Sequence, residues 1–497
     1  MEEFSIQGTT TAEKDKYLID CFYDAGFLKT LIKEDYSILA GRKGSGKTAI
    51  AKFLENKYGD YSLLGSLRIP IESFTIEHSE KGSGQTKEKI VLFILLKTAK
   101  YLFDKNLLIV DNKAYWEEVF EKIGFNSASN YEGFETVSKR SSIGVSLAGW
   151  IKGKTEKTRE KKTLEVNSNS VFSAIRDSLE TLDDNTKYLI FVDDVSDYLD
   201  ESKRENVGKD INIIKDILFK LDSFNTELRD TQKGLRFIVC IRDELFEFME
   251  GSNINKLKTN SLFLSWDERS FAGLLVRRLP HFRADIDKAL GNPIEAIREF
   301  FPDEIFRKRV KLFNTKRYAT NFYAYMVAIS FNRPRDFLAF CYTLRDRLSF
   351  KYKVTIDNID SAEIEYTDYF VSEMRDELFL ASKIFKFKAN SEDIDKLIDI
   401  LGQKEGFSSS QFRTEISMIL DEKTSVGRKK IERFIYELWW YGVLGFKEKK
   451  ESYINFRYIP LTARFVIKKA KTYIYYLHRG LWWHVQKRKK EETKKYG

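Results

Sequence analysis

An apolar stretch that runs directly into a glycine-rich, basic turn constrains this chain more than any other feature. Ser37–Ala40 is followed by GRKGSGKT (41–48), and a helix-like segment at 47–57 comes immediately after. Glycine lets the backbone bend where a side chain would collide, so this turn suits the junction of a buried strand and a helix. Further strand-like runs occur at 67–71, up to Val192, up to Ile241 and at 261–266. Because helical stretches separate them, the pattern predicts a parallel α/β sheet with right-handed crossovers over 35–266.

Length and composition place this sheet within a larger, helix-rich chain. The 497 residues exceed one compact core, and only six are proline, which favours helices joined by short connections. Basic residues number 84 against 75 acidic ones, an excess too small for a uniformly basic nucleic-acid coat. The three cysteines show no disulfide or zinc spacing, and the acidic N-terminal residues do not resemble a signal peptide. We expect a cytoplasmic protein without a membrane span, since the longest apolar run is Ile90–Leu96.

The turn GRKGSGKT matches the pattern G-x-x-x-x-G-K-[ST], which cradles nucleotide phosphates in a P-loop. In such a loop, backbone N–H groups and the positive N-terminal end of the next helix face the phosphate oxygens. Lys47 would reach the β- and γ-phosphates of ATP, and the Thr48 hydroxyl would ligate Mg²⁺. The alternative, an ordinary glycine-rich turn, is disfavoured by the flanking strand and helix. The predicted nucleotide-binding residues here are Gly41, Arg42, Lys43, Gly44, Ser45, Gly46, Lys47, Thr48 and Ala49.

Two carboxylates, Asp193 and Asp194, follow the apolar run YLIFV. Hydrolysis of ATP needs a carboxylate near magnesium and a group that positions water. Asp193 is the predicted magnesium ligand, directly or through water. Asp194 is the predicted catalytic residue that polarises water, and Asp197 is the next candidate. Many ATPases carry glutamate at this place, so the shorter aspartate predicts slow turnover; the alternative is a pair of turn or capping carboxylates.

The succession of strands resembles the AAA+/STAND division of P-loop ATPases. In that division the fourth strand inserts between the P-loop strand and the carboxylate strand, and its C-terminal end faces the γ-phosphate. In this chain that end carries Arg242, in FIVCIRDEL. The resemblance implies that Arg242 is a catalytic sensor residue. The alternative is a surface arginine that pairs with Asp243 or Glu244.

The same resemblance implies a helical lid over 267–385, beginning with the helix-like stretch LSWDERSFAGLLVRRL (264–279). Within it, FNRPRDFLAF would bring Arg333, Pro334 and Arg335 onto the nucleotide, since arginine can contact phosphate through two N–H groups. The alternative is a helix start with proline in its first turn and no ligand contact.

The chain is also similar to a group of prokaryotic P-loop ATPases encoded beside phage-defence and mobile-element genes. The similarity rests on AEKD (12–15), GRKGSGKTAI, FVDD, RPRD and the late YLHRGL (476–481), in that order. It departs at Ser196, where relatives usually carry another aspartate. The resemblance implies an ATP-driven molecular switch. We expect a homo-oligomer that controls an effector protein, in antiviral defence.

Residues 386–484 have the element order of a winged helix, a module that origin-recognition-type AAA+ proteins carry at this place. Helical stretches at 391–402, at 409–420 and from Gly427 precede two strand-like runs, LGFKEKK (444–450) and YINFRYI (453–459). Basic residues could contact nucleic-acid phosphates, but interleaved glutamates favour a protein partner. The alternative function is a DNA-binding initiator or transcription regulator with a mainly structural ATP site. The basic set comprises Arg428, Lys429, Lys430, Arg433, Lys447, Lys449, Lys450 and KRKK (487–490) in the tail 485–497.

Overall fold

The computed structural model divides the chain into two compact units. One unit is Gly26–Leu264, and the other combines Met1–Ala25 with Ser265–Gly497. The described residues are 4–58, 65–71, 83–108, 113–122, 168–180, 187–195, 207–230, 234–247, 249, 251, 253–301, 310–311, 318–319, 326, 329–348, 354–384, 391–402, 406–419, 425–440, 442–447, 472–481, 484–485 and 487–489. Ser196, Asp197 and the predicted strand 453–459 lie outside these residues.

A five-stranded, all-parallel sheet forms the centre of the Gly26–Leu264 unit. Its strands are β1 (Ile38–Ala40), β2 (Gly65–Pro70), β3 (Tyr188–Asp193), β4 (Leu235–Ile241) and β5 (Ser261–Phe263). Their order across the sheet is β2-β3-β4-β1-β5. The predicted parallel α/β sheet is therefore confirmed, and β4 does lie between β1 and β3. Because all strands are parallel, their C-terminal ends meet at one side of the sheet, called here the carboxyl edge.

Helices flank this sheet, and the apolar strands are buried between them, as expected for a parallel sheet. The longest apolar run of the chain, Ile90–Leu96, is buried within one of these helices. Phe172 of the helix Ser168–Leu179 stacks on Phe224 of the helix Val207–Asp230, with ring centroids 4.0 Å apart, and so connects these two helices. No helix among the described residues is long and apolar enough to cross a membrane. The helices are α1 (Phe27–Lys33), α2 (Lys47–Lys57), α3 (Ser83–Asp104), α4 (Lys113–Lys122), α5 (Ser168–Leu179), α6 (Val207–Asp230) and α7 (Ile254–Thr259).

The second unit begins with an N-terminal segment that packs on helices far along the chain. We predicted a helical segment over 1–34, but within the described part only α1 is helical and residues 4–25 form turns. The reason lies in Asp15, whose carboxylate accepts from the Tyr17 N–H (3.0 Å) and pairs with Arg278 (2.6 Å). These contacts favour a turn over a helix. The following helices are α8 (Glu268–Arg278), α9 (Ile286–Gly291), α10 (Pro293–Ile297), α11 (Pro334–Arg347) and α12 (Ile356–Ile384).

The last part of this unit, called here the C-terminal module, contains three helices and a small antiparallel sheet. The order of its strands is β8 (Phe407–Ser408), β10 (Ile474–Leu477) and β9 (Leu444–Lys447). Its strand β9 pairs with a strand at 474–477, later in the chain than the predicted partner at 453–459. The two-residue strand β8 has no signal in the sequence, because so short a strand shows no alternation. A second short pair, β6 (Val310–Lys311) with β7 (Tyr318–Ala319), also lacks a sequence signal. The module comprises α13 (Ser391–Leu401), β8 (Phe407–Ser408), α14 (Ser409–Ile419), α15 (Ser425–Trp440), β9 (Leu444–Lys447) and β10 (Ile474–Leu477).

Candidate functional site at the carboxyl edge of the parallel sheet

The glycine-rich turn joins β1 to α2 at the carboxyl edge. Gly44 and Gly46 have φ values of 81° and 106°, a region that disfavours side chains, and Gly46 directly precedes α2. The ammonium group of Lys47 donates to the backbone carbonyls of Gly41 (2.7 Å) and Arg42 (3.1 Å). The loop therefore curls around a positive charge at the N-terminal end of a helix, which is the arrangement that binds phosphate.

The other residues of the loop lie around this charge. Arg42 and Ser45 are buried, and Arg42 Nε is 3.5 Å from Glu244 Oε1 in the 3₁₀ turn that follows β4. Lys43 is partly exposed, and Thr48 and Ala49 are partly exposed in the first turn of α2. The loop is thus tied to the end of β4 and leaves the threonine hydroxyl near the edge.

The electrostatics of Lys47 show which charged groups surround the loop. Burial lowers the pKa of Lys47, and the negative charge of Glu244 opposes this effect. The positive charge of Arg242 lowers the same pKa further, while Asp193 raises it. Charged groups at the ends of β3 and β4 therefore lie close enough to Lys47 to change its pKa. The structure brings together Lys47, Asp193 and Arg242, as predicted from the sequence.

The two predicted carboxylates share an arginine that sequence analysis missed. Arg68 on β2 contacts both, with Nε 2.7 Å from Asp193 Oδ2 and Nη2 2.6 Å from Asp194 Oδ2. Asp193 ends β3 and is buried, whereas Asp194 follows it with a φ of 59°, unusual for a residue with a side chain. A basic residue inside the apolar run GSLRIP was the available signal, since β2 and β3 are neighbours. Both carboxylates thus converge on one cation at the carboxyl edge.

Arg242 lies directly after β4 and is buried. The alternative of a surface arginine is therefore wrong for the position of this side chain. Glu244, one of the partners considered for it, contacts Arg42 in the loop. Arg242 thus belongs to the same buried edge as the loop and the carboxylates, and its role as a sensor stays a prediction.

Arg333, Pro334 and Arg335 lie in the second unit, at the start of α11. Pro334 is the first residue of this helix, so the local structure matches a helix start with proline in its first turn. Arg333 is almost fully buried, with Nε 2.7 Å from Asp336 Oδ2. Arg335 is more exposed and lies 3.6 Å from Glu373 on α12. The contact of these three residues with a nucleotide stays a prediction.

The residues at the carboxyl edge fit a phosphate group and a magnesium ion. Lys47, Arg42 and Arg242 concentrate positive charge beside the N-terminal end of α2. The Thr48 hydroxyl and the Asp193 carboxylate are oxygen donors, the kind that Mg²⁺ prefers. Two carboxylates already converge on a cationic group, Arg68, which shows that their geometry suits a positive ligand.

Comparison of the chain with protein-family models gave no match, and comparison with curated proteins gave none either.

Proposed function

We propose that the protein is an ATP-binding and ATP-hydrolysing molecular switch of the AAA+/STAND-like kind. One observation carries the proposal: the phosphate-binding loop, two carboxylates and a buried arginine meet at the ends of β1, β3 and β4. The strand order β2-β3-β4-β1-β5 supports it, because only this insertion puts Arg242 between the loop and the carboxylates. A loop alone would support nucleotide binding, whereas the carboxylates add the groups that hydrolysis needs.

Each residue has a defined task in this proposal. The loop N–H groups and Lys47 bind the phosphates, and Thr48 and Asp193 hold magnesium, which supplies charge neutralisation to the transferring phosphoryl group. Asp194 positions and polarises water, and Arg242 responds to charge at the γ-phosphate. The shorter reach of an aspartate supports slow hydrolysis, in keeping with a switch rather than a motor.

Arg68 adds a regulatory contact to this scheme. Its guanidinium contacts one oxygen of each carboxylate to which the proposal assigns magnesium and water, at 2.7 Å for Asp193 and 2.6 Å for Asp194. Arg68 therefore holds the Asp193 carboxylate that would bind Mg²⁺, and Asp194 would be able to act on water once it is released from Arg68. Loading of the site with Mg-ATP is then coupled to movement of Arg68 on β2.

The second unit supplies the output in this proposal, with α8–α12 as a helical lid and the C-terminal module as a winged helix. A helix, strand, two helices and two strands in that order, with an antiparallel sheet, support the winged helix. Arg413 of α14 pairs with Glu432 of α15 (3.1 Å), so part of its basic charge is neutralised within the module. This favours a protein partner. A homo-oligomer acting on an effector protein in antiviral defence is supported by the motif order.

The proposal is tested by ATP binding and phosphate release in the purified full-length chain. Lys47→Ala removes the charge inside the loop, so we expect loss of detectable Mg-ATP binding by calorimetry and of phosphate release. Lys57→Ala is the matched control, since it removes an exposed lysine from the other end of α2. Wild-type protein that fails to bind ATP would overturn the proposal. So would a Lys47→Ala variant that binds it normally.

A further inference from the structure

The motif YLHRGL, which the proposed function leaves without a task, links the C-terminal module to the start of α11. The His478 N–H donates to the carbonyl of Val443, next to β9, so its backbone belongs to the sheet of the C-terminal module. Its side chain instead bonds to the carbonyl of Ser330 through Nε2, at 3.1 Å. Ser330 lies only three residues before Arg333. His478 is completely buried between these two parts of the unit.

Hydrogen bonds fix both nitrogens of this imidazole. The Gly480 N–H donates to Nδ1 at 3.1 Å, so Nδ1 must be the acceptor. The proton of the neutral ring is then on Nε2, which donates to the Ser330 carbonyl. The ring also stacks on Phe370 of α12, with centroids 4.6 Å apart and planes at 21°. Position, tautomer and orientation of His478 are therefore all specified.

Two further contacts of the motif hold it against α12. Arg479 makes a two-pronged ion pair with Glu363, with Nε to Oε1 at 2.6 Å and Nη2 to Oε2 at 3.1 Å. Gly480 approaches Phe370 so closely that a Cβ atom there would lie 2.6 Å from the phenyl ring. The motif is thus anchored on α12 independently of the bond to Ser330.

The segment that begins at Ser330 is itself a connected unit. The Phe331 N–H donates to Asp336 Oδ2 at 3.0 Å, and Arg333 Nε donates to the same oxygen at 2.7 Å. The Arg333 guanidinium lies over the Phe331 ring at 5.1 Å. Any shift of the Ser330–Phe331 peptide therefore moves the acceptor that orients Arg333.

We propose that His478 is a positioning residue that couples the C-terminal module to nucleotide discrimination through the Ser330–Asp336 segment. His478 lies directly after β10 and donates to the Ser330 carbonyl, and it thereby fixes the segment that carries Arg333 and Arg335. A partner bound to the C-terminal module would change the nucleotide response by this route. The inference rests on the proposed function, because only a bound nucleotide gives Arg333 and Arg335 a phosphate to sense.

The test compares three substitutions at one position in the full-length chain. His478→Phe keeps the stacked ring but removes both hydrogen bonds. His478→Gln places an amide N–H where Nε2 lies, so it can still donate to the Ser330 carbonyl. His478→Asn places its amide oxygen where Nδ1 lies, so it can accept from the Gly480 N–H but does not reach Ser330. We expect the phenylalanine and asparagine variants to lose preference for Mg-AMP-PNP over Mg-ADP by about tenfold in calorimetry, with ADP affinity unchanged. The glutamine variant retains the preference.

A second measurement needs no nucleotide. Hydrogen exchange of the Phe331 amide should accelerate in His478→Phe and His478→Asn but not in His478→Gln. The control is Glu365→Gln, which removes an exposed pair between α12 and Arg347 of α11 and should change neither readout. Unchanged exchange at Phe331 in the phenylalanine variant would overturn the positioning role. A wild-type chain that binds no nucleotide would defeat the proposed function instead, and the exchange result would still decide the role of His478.

Discussion

Buried arginine–carboxylate contacts occur in both compact units, but they differ in how charge is balanced. In the second unit, the pairs Arg278–Asp15 and Arg479–Glu363 each join one guanidinium to one carboxylate, and their side chains are at most 7% exposed. In the sheet unit, one guanidinium, that of Arg68, faces two adjacent carboxylates. The first arrangement is neutral. In the second, the two carboxylates together carry one more charge than the guanidinium that they share.

This difference distinguishes ion pairs that stabilise the fold, called here braces, from a contact in which a bound cation could replace the guanidinium. A neutral, buried pair gains nothing by exchanging its partner, and breaking it leaves an uncompensated charge in the interior. Two carboxylates against one guanidinium still repel each other, and a divalent cation neutralises them more completely. We therefore expect the buried pairs Arg278–Asp15 and Arg479–Glu363 to stabilise the fold as braces, and the carboxylates that share Arg68 to exchange it for a cation. Four measurements can break or sharpen this contrast.

The largest effect is expected at a brace. Arg479→Ala leaves Glu363 buried without its two-pronged partner, so the free energy of unfolding should fall by about 3–5 kcal/mol. Urea denaturation measures the change. Arg347→Ala is the control, because Arg347 is half exposed in its pair with Glu365 and its loss should cost less than about 1 kcal/mol. Equal losses in the two variants would end the distinction between a buried brace and a surface pair.

The next effect is on catalysis. Asp194→Asn removes the carboxylate that we propose polarises water, but it keeps the shape of the side chain and leaves Asp193 as the proposed magnesium ligand. Phosphate release should slow by about 10²-fold, or about 2.7 kcal/mol in the barrier, while ATP binding persists. Single-turnover phosphate release checks this, with calorimetry for binding. Wild-type turnover would transfer the catalytic role to another carboxylate, with Asp197 the next candidate.

The sequence predicted the sheet and the loop because local signals specify both. An apolar run, three glycines and Lys47 are contiguous, and strand succession with helical crossovers leaves few parallel topologies. The apolar run YLIFV before it indicated Asp193 in the same local way, whereas Arg242 was indicated by the resemblance to the AAA+/STAND division.

Contacts between distant segments could not be predicted in this way. Arg68 is one basic residue in an apolar strand, and nothing local shows that β3 lies beside it. Asp15 and Arg278 are 263 residues apart, so their pairing and the turn structure before α1 depend on tertiary packing. The bond of His478 to a backbone carbonyl leaves no sequence signal at Ser330 at all.

A smaller effect is expected at the shared guanidinium. Arg68→Ala frees both carboxylates, so the Mg²⁺ concentration needed for half-maximal ATP binding should fall by about tenfold, or about 1.4 kcal/mol. Arg68→Lys keeps a charge but not the two-pronged geometry and should fall between the alanine variant and the wild type. Magnesium titrations at fixed ATP measure the shift. A higher magnesium requirement in Arg68→Ala would show that the arginine supports the metal site instead of competing with it.

The smallest effect is expected in the basic tail, where surface pairs resemble the braces in composition but not in burial. Lys487 contacts Asp368 (2.5 Å) and Arg488 contacts Asp399 (3.2 Å), so these two cations of KRKK are partly neutralised within the chain. Replacing both with alanine should change the free energy of unfolding by less than about 1 kcal/mol, because both pairs are partly exposed. We also expect the wild type and this double variant to bind DNA weakly in fluorescence anisotropy at low salt. Sub-micromolar, salt-sensitive binding by the wild type would contradict this. The slope of log DNA affinity against log salt concentration could then be compared between the two proteins. A slope that is smaller in the variant by roughly one unit per lost phosphate contact would favour the DNA-binding initiator or regulator.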